Sequence, residues 1–305
     1  MVIRKILKDN LPIPMLDILR RVYGDLHYVA MHVVPKKWYM KRIFRKRVGY
    51  TLNLENPRTF NEKLQWLKLY DCNPLYTKMV DKYEVKKYVA DIIGEEYIIP
   101  TLGVWNQFDE IDFDQLPEQF VLKCNHDSGS VVICKDKACL DKKAAKKKLE
   151  RGLRYNYYYS GGFEWPYKNV KQRIIAEAFM ADDSVTDLPD YKLMCFGGKV
   201  KCSFTCTGRN TVNGLHVTFY DREWQKMPFA RHYPAEERPM PKPENYEKMV
   251  ELAEKLAAPL KFARIDFYDI NGRIFFGEIT FFPGNGTEEF NPEEWDAKIG
   301  DWLEL

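Results

Sequence analysis

Long hydrophobic runs are missing from this sequence of 305 residues. No stretch of about 18 uncharged apolar residues occurs, so we expect neither a transmembrane helix nor a signal peptide. Cysteine occurs seven times, without a C-x-x-C pair. The odd number and the apolar surroundings predict reduced, buried thiols in a cytoplasmic protein, rather than disulfides or a zinc site. The cysteines are Cys72, Cys124, Cys134, Cys139, Cys195, Cys202 and Cys206.

Patterns of nucleophilic catalysis are also missing. The sequence shows no Ser/His/Asp or Cys/His arrangement and no Rossmann glycine fingerprint, so it does not indicate enzymes built on those patterns. Histidine occurs five times. We interpret His126, beside a Gly/Ser turn, as a structural histidine rather than a proton-transfer group.

The sequence has a large apolar fraction and an uneven charge. Hydrophobic residues make up 45% of the chain, enough to bury a core in two or three lobes. The net charge is +3, but residues 1–50 hold 12 Lys and Arg against 3 Asp and Glu, which gives +9. The remainder holds 47 − 12 = 35 against 44 − 3 = 41, which gives −6. The basic character therefore belongs to the N-terminal segment.

Residues 1–50 place apolar and basic groups at helical spacings. Two interpretations are open for the most basic stretch, residues 36–47. It lies on an anionic membrane surface, or it is a solvated basic helix packed on the main domain. The first would place the protein peripherally at the inner face of the cell membrane. No nucleic-acid-binding motif accompanies the charge, so we expect no nucleic-acid partner.

Two amphipathic helices follow this segment. The first begins at Thr59, with Glu62 three residues later in the pattern of a capping box. Residues 74–90 predict a second helix, on which Lys78 and Lys82 lie one turn apart on one face. Lysines in this arrangement either bind an anion or are merely solvated.

A strand, a small polar turn and a second strand come next. Residues 120–125 predict a buried strand that carries Lys123, residues 126–131 form the turn, and residues 131–134 form the second strand. The backbone N–H groups of such a turn can point at phosphate, and a lysine in an apolar strand needs an anion. The alternative is a plain hairpin whose lysine extends to solvent.

Two further segments carry isolated charged residues. Residues 173–180 predict a buried strand with one acid, Glu177. Residues 190–209 predict a hairpin that turns at a Gly-Gly pair, with Lys192 and Arg209 at its outer ends.

A hairpin near the end of the sequence is the segment around which we organise the site. Asp266 and Glu278 interrupt its apolar strands, and each needs a partner to offset the cost of burial. A two-residue Asn271-Gly272 loop would place the acids on opposite faces. A three-residue loop that includes the preceding isoleucine, with the glycine at positive φ, would place them on one face. We predict the three-residue loop, because acids on one face can hold Mg²⁺ against a nucleotide. A structural ion pair with Arg264 is the alternative.

The order of these residues resembles the ATP-grasp superfamily of ligases. More narrowly, it resembles the teichuronopeptide-type (TupA-like) ATP-grasp family of bacterial surface-polysaccharide gene clusters. The shared phrases cover about residues 55–305: RTFNEKLQWLK, DKYEVKKYV, FVLKCNHDSGS, EWPYKN, IIAEAFM, DYKLMCFGGK, FGEITFFPGNG and FNPEEWD. Residues 1–50 carry no comparable match.

The resemblance implies an α+β fold of the ATP-grasp type, in which two α/β lobes clamp ATP, with a helical basic N-terminal extension. We expect a basic helical segment at residues 1–75 and a small lobe with a phosphate flap at residues 76–176. A large lobe with the metal site is expected at residues 177–305. The implied cofactors are ATP and Mg²⁺.

The family's roles can be carried over to the matching positions. Two lysines would contact phosphates, a Ser-Gly-Ser turn would cover them, and a hinge would read the adenine edge: Lys82, Lys123, Ser128, Gly129, Ser130, Glu177, Ala178 and Phe179. The implied metal ligands are Asp266, Glu278 and Thr280. Lys192 would assist the γ-phosphate, and Arg264 and Arg209 would bind the acceptor carboxylate or stabilise the acyl phosphate.

Two departures from the family pattern affect these roles. Thr280 stands where most ATP-grasp enzymes have Asn, so Asn285 or water is a second candidate for completing the metal shell. Asp127 stands in the flap where glycine is expected, and its charge is unfavourable near phosphates unless it points away.

The implied mechanism is ligation through an acyl phosphate. The γ-phosphoryl group passes to a carboxylate, on a uronic acid or an amino acid, and an amine then attacks to form an amide. The acceptor and the amine donor would belong to a surface glycan precursor. Three alternatives stay open: a glycosyltransferase of capsule biosynthesis, a non-catalytic nucleotide-binding scaffold, and a kinase that stops at the phosphorylated acceptor.

Overall fold

A computed structural model describes residues 13–181, 190–208, 214–238 and 240–305 of the chain. The α-helices are α1 (Ile13–Val33), α2 (Lys36–Val48), α3 (Phe60–Tyr70), α4 (Leu75–Val80), α5 (Glu84–Ile93), α6 (Lys142–Leu153), α7 (Tyr157–Ser160), α8 (Tyr246–Ala257) and α9 (Glu294–Gly300). The strands are β1 (Thr101–Trp105), β2 (Phe120–Cys124), β3 (Val131–Cys134), β4 (Ile174–Ala178), β5 (Asp190–Phe196), β6 (Lys199–Thr207), β7 (His216–Asp221), β8 (Ala230–Arg231), β9 (Phe262–Ile270), β10 (Arg273–Thr280) and β11 (Phe290–Asn291).

The larger sheet has five antiparallel strands in the order β10-β9-β5-β6-β7. Strand β5 is buried along nearly its whole length, because it lies in the middle of this sheet. Helix α8 packs on the sheet through its apolar stripe, which includes Met249 and Ala253. Helix α3 adds Phe60 and Leu64 to the same core.

The smaller sheet has four strands in the order β1-β4-β2-β3. Helix α6 covers it, with Ala145 and Leu149 in a core shared with Phe120 and Leu122. The domain boundary expected between residues 176 and 177 falls within β4, so the division into lobes stays a prediction.

The N-terminal helices form a third core with an aromatic loop. Met40 and Phe44 of α2 are buried against Tyr158 and Phe163. Of the two interpretations of residues 36–47, the structure agrees with the packed basic helix, because α2 is packed on one side and keeps its basic residues exposed on the other. The membrane contact stays a prediction. None of the helices described in this structure is long and apolar enough to cross a bilayer.

The capping box at the start of α3 is confirmed. The hydroxyl of Thr59 accepts a hydrogen bond from the backbone N–H of Glu62, and the Glu62 carboxylate accepts one from the N–H of Thr59. The single helix predicted for residues 74–90 is wrong, since the structure has α4 and α5 with a break between them.

Asp81 causes this break. Its carboxylate accepts hydrogen bonds from the backbone N–H groups of Tyr83 and Glu84, and from the side chain of Asn125. A side chain that bonds to nearby backbone N–H groups favours a new helix start. The break places Lys82 between the helices, so its expected pairing with Lys78 along one helix face does not occur.

The cysteines are all free, as predicted. Their expected burial holds for four of the seven, but Cys72 and Cys139 are exposed and Cys206 is partly exposed. The exposed pair lies just outside regular strands, in the turn after α3 and in a short 3-10 helix.

Candidate active site

The hairpin of β9 and β10 carries the two acids. Its loop has two residues, Asn271 and Gly272, both at positive φ, so the predicted three-residue loop is wrong. The predicted positive φ of Gly272, 72°, is confirmed. A type I′ turn accepts this pair of residues without splaying the strands.

A β-bulge nevertheless places the acids on one face. Residues pair regularly from the loop to Phe276, and then Glu278 rather than Gly277 pairs with Asp266. Gly277 is the extra residue, and it shifts the register by one position. Because directly opposite side chains in an antiparallel pair lie on the same face, Asp266 and Glu278 can share one cation.

Arg264 occupies the position between these acids. Its guanidinium contacts both oxygens of Asp266 at 2.7 Å, and Nη2 lies 2.6 Å from Oε1 of Glu278. The ion pair that the sequence left as an alternative is therefore present. Lys192 on the neighbouring strand β5 adds a contact of 2.5 Å to Asp266.

These cations determine the ionisation of Glu278. Burial alone would raise the pKa of its carboxyl group, but Arg264, Lys82 and Lys192 outweigh burial and hold the pKa at about 2. Thr280 donates a hydrogen bond of 3.1 Å to the same oxygen, Oε1. Glu278 is thus ionised at neutral pH.

The flap turn lies across from the hairpin. Nζ of Lys82 donates to the backbone oxygen of Asp127 at 2.5 Å, and the hydroxyl of Ser130 donates to the Asp127 carboxylate. Gly129 has a φ of 103°, and a side chain there would meet open space. The charge of Asp127 is thus partly satisfied within the turn by Ser130.

A second ionic cluster lies on the smaller sheet. Glu177 on β4 contacts Lys123 on β2 at 2.5 Å and Lys86 on α5 at 2.8 Å. The lysines lower the pKa of Glu177 against the opposing effect of burial. In this structure, then, the anion that satisfies Lys123 is a carboxylate.

The two hinge residues after Glu177, Ala178 and Phe179, contact residues outside this ionic cluster. The backbone N–H of Ala178 donates to the oxygen of Pro100 at 3.0 Å. The ring of Phe179 lies 6.0 Å from Nζ of Lys135. Arg209 lies outside the described residues.

A cavity of about 740 Å³ brings part of the predicted site together. Five predicted residues line it: Lys82, Ser128, Arg264, Glu278 and Thr280. The other predicted residues that the structure describes do not line it. Among them, Lys192 and Asp266 lie behind Arg264, and Lys123 and Glu177 form the separate cluster on the smaller sheet.

The sequence reasoning missed several residues of this cavity. Arg47, Tyr157, Glu164, Tyr167 and His232 line it, together with residues 282–284 and 287–289. Asn285, the second candidate for the metal shell, lines it as well. Arg47 belongs to the N-terminal extension and donates to the hydroxyl of Thr287 at 3.2 Å. The EWPYKN phrase was a signal for Glu164 and Tyr167, but it assigned them no chemistry.

Lys68 was also missed, because it looks like one lysine of an amphipathic helix. It is buried, and its ammonium donates to the backbone oxygen of Asn285 at 2.7 Å and to the side-chain oxygen of the same residue. The Asn285 side chain therefore bonds to a lysine, whereas Thr280 faces Glu278.

The hairpin offers two carboxylates as oxygen donors for a divalent cation. Asp266 and Glu278 already share one cation, the Arg264 guanidinium, so the pair accepts positive charge between its members. The Glu278 side chain is 41% exposed toward the cavity. Carboxylate oxygens are the ligands that Mg²⁺ prefers.

Known proteins are similar to this chain. A sequence model of the family described as TupA-like ATPgrasp matches residues 62–304. No curated protein matches the chain.

Several solved structures are similar at low identity. D-alanine–D-alanine ligase from Bacillus anthracis complexed with ATP is 18% identical, with a TM-score of 0.38 over 67% of this chain and 54% of that chain. The corresponding ligase from Helicobacter pylori is 17% identical, with a TM-score of 0.41 over 81% of this chain and 68% of that one. The D-cycloserine synthetase DcsG is 14% identical, with a TM-score of 0.42 over 79% and 76%. The chain thus spans about half the length of the first of these ligases.

Proposed function

The chain belongs to the TupA-like ATP-grasp family, and from that premise we propose that it is an ATP- and Mg²⁺-dependent carboxylate–amine ligase. The reaction would release ADP and phosphate and form an amide through an acyl phosphate. The observation that carries the proposal is the cavity between the flap and the hairpin. Lys82, Arg264 and Glu278 face it together.

Two cations of this cavity suit a transferring phosphoryl group. Lys82 extends from the small-sheet side and Arg264 from the hairpin side. Positive groups fixed on both sides of a reacting phosphate stabilise the charge that spreads over its oxygens. Ser128 of the flap turn lines the same cavity and would help to exclude water from the phosphates.

We propose that Asp266 and Glu278 hold Mg²⁺, with Thr280 or water beside them. A bound Mg²⁺ would neutralise charge on the β- and γ-phosphates. Arg264 orients the two carboxylates through its three contacts of 2.6–2.7 Å. Lys192 keeps Asp266 in position from behind at 2.5 Å.

We propose that Lys123 exchanges the Glu177 carboxylate for a nucleotide phosphate. Glu177 keeps Lys86 as a partner at 2.8 Å, so the exchange leaves its charge satisfied. Ala178 and Phe179 would then border the adenine, and Gly129 and Ser130 would shape the flap. Arg209 would contact the acceptor carboxylate.

The substrate class rests on the family alone. We propose a uronic acid or amino-acid carboxylate and an amine on a surface glycan precursor, in the biosynthesis of a bacterial capsular polysaccharide or teichuronopeptide. We place the enzyme in the cytoplasm, where ATP is available and where its seven free cysteines would stay reduced.

A panel of carboxylate and amine pairs, assayed for ADP release with Mg-ATP, tests the activity. We expect release only with a matching pair, and we expect ADP rather than AMP. AMP as the product would contradict the acyl-phosphate mechanism. Turnover of a nucleotide sugar without ATP would indicate a glycosyltransferase, and ATP binding without turnover would indicate a scaffold.

Nucleotide binding can be tested before the substrates are known. Mg-ATP should raise the melting temperature of the wild type, and Lys123→Ala should abolish this increase. Lys86→Ala is the matched control, because Lys86 contacts the same Glu177 carboxylate. Equal responses of the two variants would contradict a phosphate role for Lys123.

We further propose that the N-terminal helices contact anionic membrane. Helix α1 exposes apolar side chains at alternating spacings of four and three residues: Met15, Leu19, Val22, Leu26, Val29 and Val33. Helix α2 exposes Trp38 and holds seven Lys and Arg without an acid. Apolar and basic groups exposed together are typical of helices that lie in the membrane interface.

Sedimentation with liposomes tests the membrane contact. We expect binding to anionic vesicles that salt weakens, since each basic residue near the surface contributes on the order of 1 kcal/mol, screened over about 10 Å. Equal sedimentation with neutral and anionic vesicles at low salt would contradict the proposal. Salt-independent self-association would instead assign the apolar stripe of α1 to a second copy of the chain.

A further inference from the structure

Glu164 is a buried acid that the proposed reaction has not yet used. The residue is only 6% exposed, and it lines the cavity. Its carboxylate forms no hydrogen bond or ion pair with any other residue in the described part of the chain. An ionised carboxylate without a partner is costly to bury, so a cationic ligand is the natural complement to this position.

Aromatic rings line the same cavity. Tyr157 and Tyr167 contact each other with ring centroids 4.7 Å apart, and Phe282 lies on the wall formed by the hairpin's C-terminal end. The faces of such rings attract ammonium groups. Burial and the charge of Glu164 both raise the pKa of Tyr157 and of Tyr167, so both rings stay neutral at physiological pH.

The neighbouring cations leave Glu164 available. The positive charge of Lys68 lowers the pKa of the Glu164 carboxyl group, but the Lys68 ammonium donates to Asn285 and forms no ion pair with Glu164. Arg264 is committed to Asp266 and Glu278.

We propose that Glu164, Tyr157 and Tyr167 form the subsite for the amine substrate, which binds there as an ammonium ion. The inference rests on the proposed function and names its second substrate as a primary amine. Glu164 takes one proton from the ammonium, and the freed nitrogen attacks the acyl carbon. The C–N bond forms as the C–O bond to phosphate breaks, and the second proton leaves with the phosphate.

The ionisation of Glu164 gives the subsite a pH dependence. Burial and the charge of Glu278 raise the pKa of Glu164, Lys68 and Arg264 lower it, and the result is about 7. Cation affinity should therefore rise as pH increases from 6 to 8 and the carboxylate ionises. Lys68, whose pKa burial lowers to about 8, loses its repulsive charge over an overlapping range and acts in the same direction.

Ethylammonium is the probe, with ethanol as its uncharged counterpart. Ligand-observed NMR titrations compare the wild type with Glu164→Gln and Glu289→Gln. Glu289 is the matched control, because it lines the same cavity but is exposed and contacts His232 at 3.2 Å. We expect saturable ethylammonium binding, weakened at least tenfold by Glu164→Gln and unchanged by Glu289→Gln.

Three results would overturn the subsite: no saturable ethylammonium binding to the wild type, equal binding to Glu164→Gln, or equal binding of ethanol. If Glu164→Gln fails to fold, an affinity in the wild type that does not change between pH 6 and 8 would also overturn it. The Mg-ATP melting shift is measured on the same samples. Absence of this melting shift in the wild type, with ethylammonium binding still present, would contradict the ligase function rather than the subsite.

Discussion

Replacing Gly277 with alanine tests the bulge that places the two acids side by side. A Cβ at this position would lie 3.2 Å from the backbone oxygen of Asp266 and 3.2 Å from Cε2 of Tyr268. It would also lie 3.4 Å from Cβ of Asp266. Since carbon atoms pack best at about 3.5–4.0 Å, the hairpin must shift by a few tenths of an ångström.

The magnitude follows from the crowding. Adding a methyl group to a packed interior costs about 1–3 kcal/mol, so we expect Gly277→Ala to lower the free energy of unfolding by this amount. Because two of the three crowded atoms belong to Asp266, we expect the shift to separate this acid from Glu278. We therefore expect the melting shift with Mg-ATP to shrink as well.

Chemical denaturation and Mg-ATP thermal shift measure the two effects. Gly24→Ala is the control, because Gly24 lies within α1 and a Cβ there would meet only the Tyr155 hydroxyl, at 3.8 Å. That variant should gain up to about 1 kcal/mol of stability from helix propensity. Wild-type stability and an unchanged Mg-ATP response in Gly277→Ala would refute the bulge as the device that aligns the acids.

Three other predictions concern single charges or ligands. Glu177→Gln should lower the free energy of unfolding, measured by chemical denaturation, by about 3–5 kcal/mol, because it leaves Lys123 near an uncharged amide. Adding Lys123→Met in a double-mutant cycle should recover part of this loss, and additive effects of the two substitutions would contradict the ion pair. Glu278→Gln should lower turnover by orders of magnitude. In the folded protein the pKa of Glu278 is lowered to about 2, so the stability that its charge contributes is present above its ordinary pKa of 4.5 and is lost as the pH falls toward 2. The difference in melting temperature between Glu278→Gln and wild type should therefore shrink below pH 4.5. A difference that does not change with pH would contradict this. Thr280→Asn should keep activity and lower the Mg²⁺ concentration needed for half-maximal turnover, whereas loss of activity would contradict a metal-side position for this residue.

The elements that the sequence predicts well depend on local signals. The capping box of α3 is formed by residues three apart, and the positive φ of Gly272 follows from the tight turn, although the predicted loop length was wrong. The ATP-grasp fold and family follow from phrases that carry many residues in order, and the match at residues 62–304 confirms them.

The features that sequence reasoning missed depend on tertiary contacts. The bulge arises where Gly277 crosses Asp266 and Tyr268, which the strand pattern alone cannot show. At the break before α5, Asp81 also bonds to Asn125, which is 44 residues away, and no local pattern shows this contact. Glu164 does not belong to any charge pattern in the sequence that would indicate a site, and only the folded chain places it at the cavity.

The central claim is that the two acids of the hairpin hold the metal ion that binds the phosphates of ATP. The most direct measurement is a crystal structure with Mn²⁺ and a non-hydrolysable ATP analogue, with the metal located by anomalous scattering. We predict an anomalous peak between Asp266 and Glu278, about 2.1 Å from a carboxylate oxygen of each. A nucleotide bound with its metal elsewhere, and Arg264 still joining the two acids, would contradict the account.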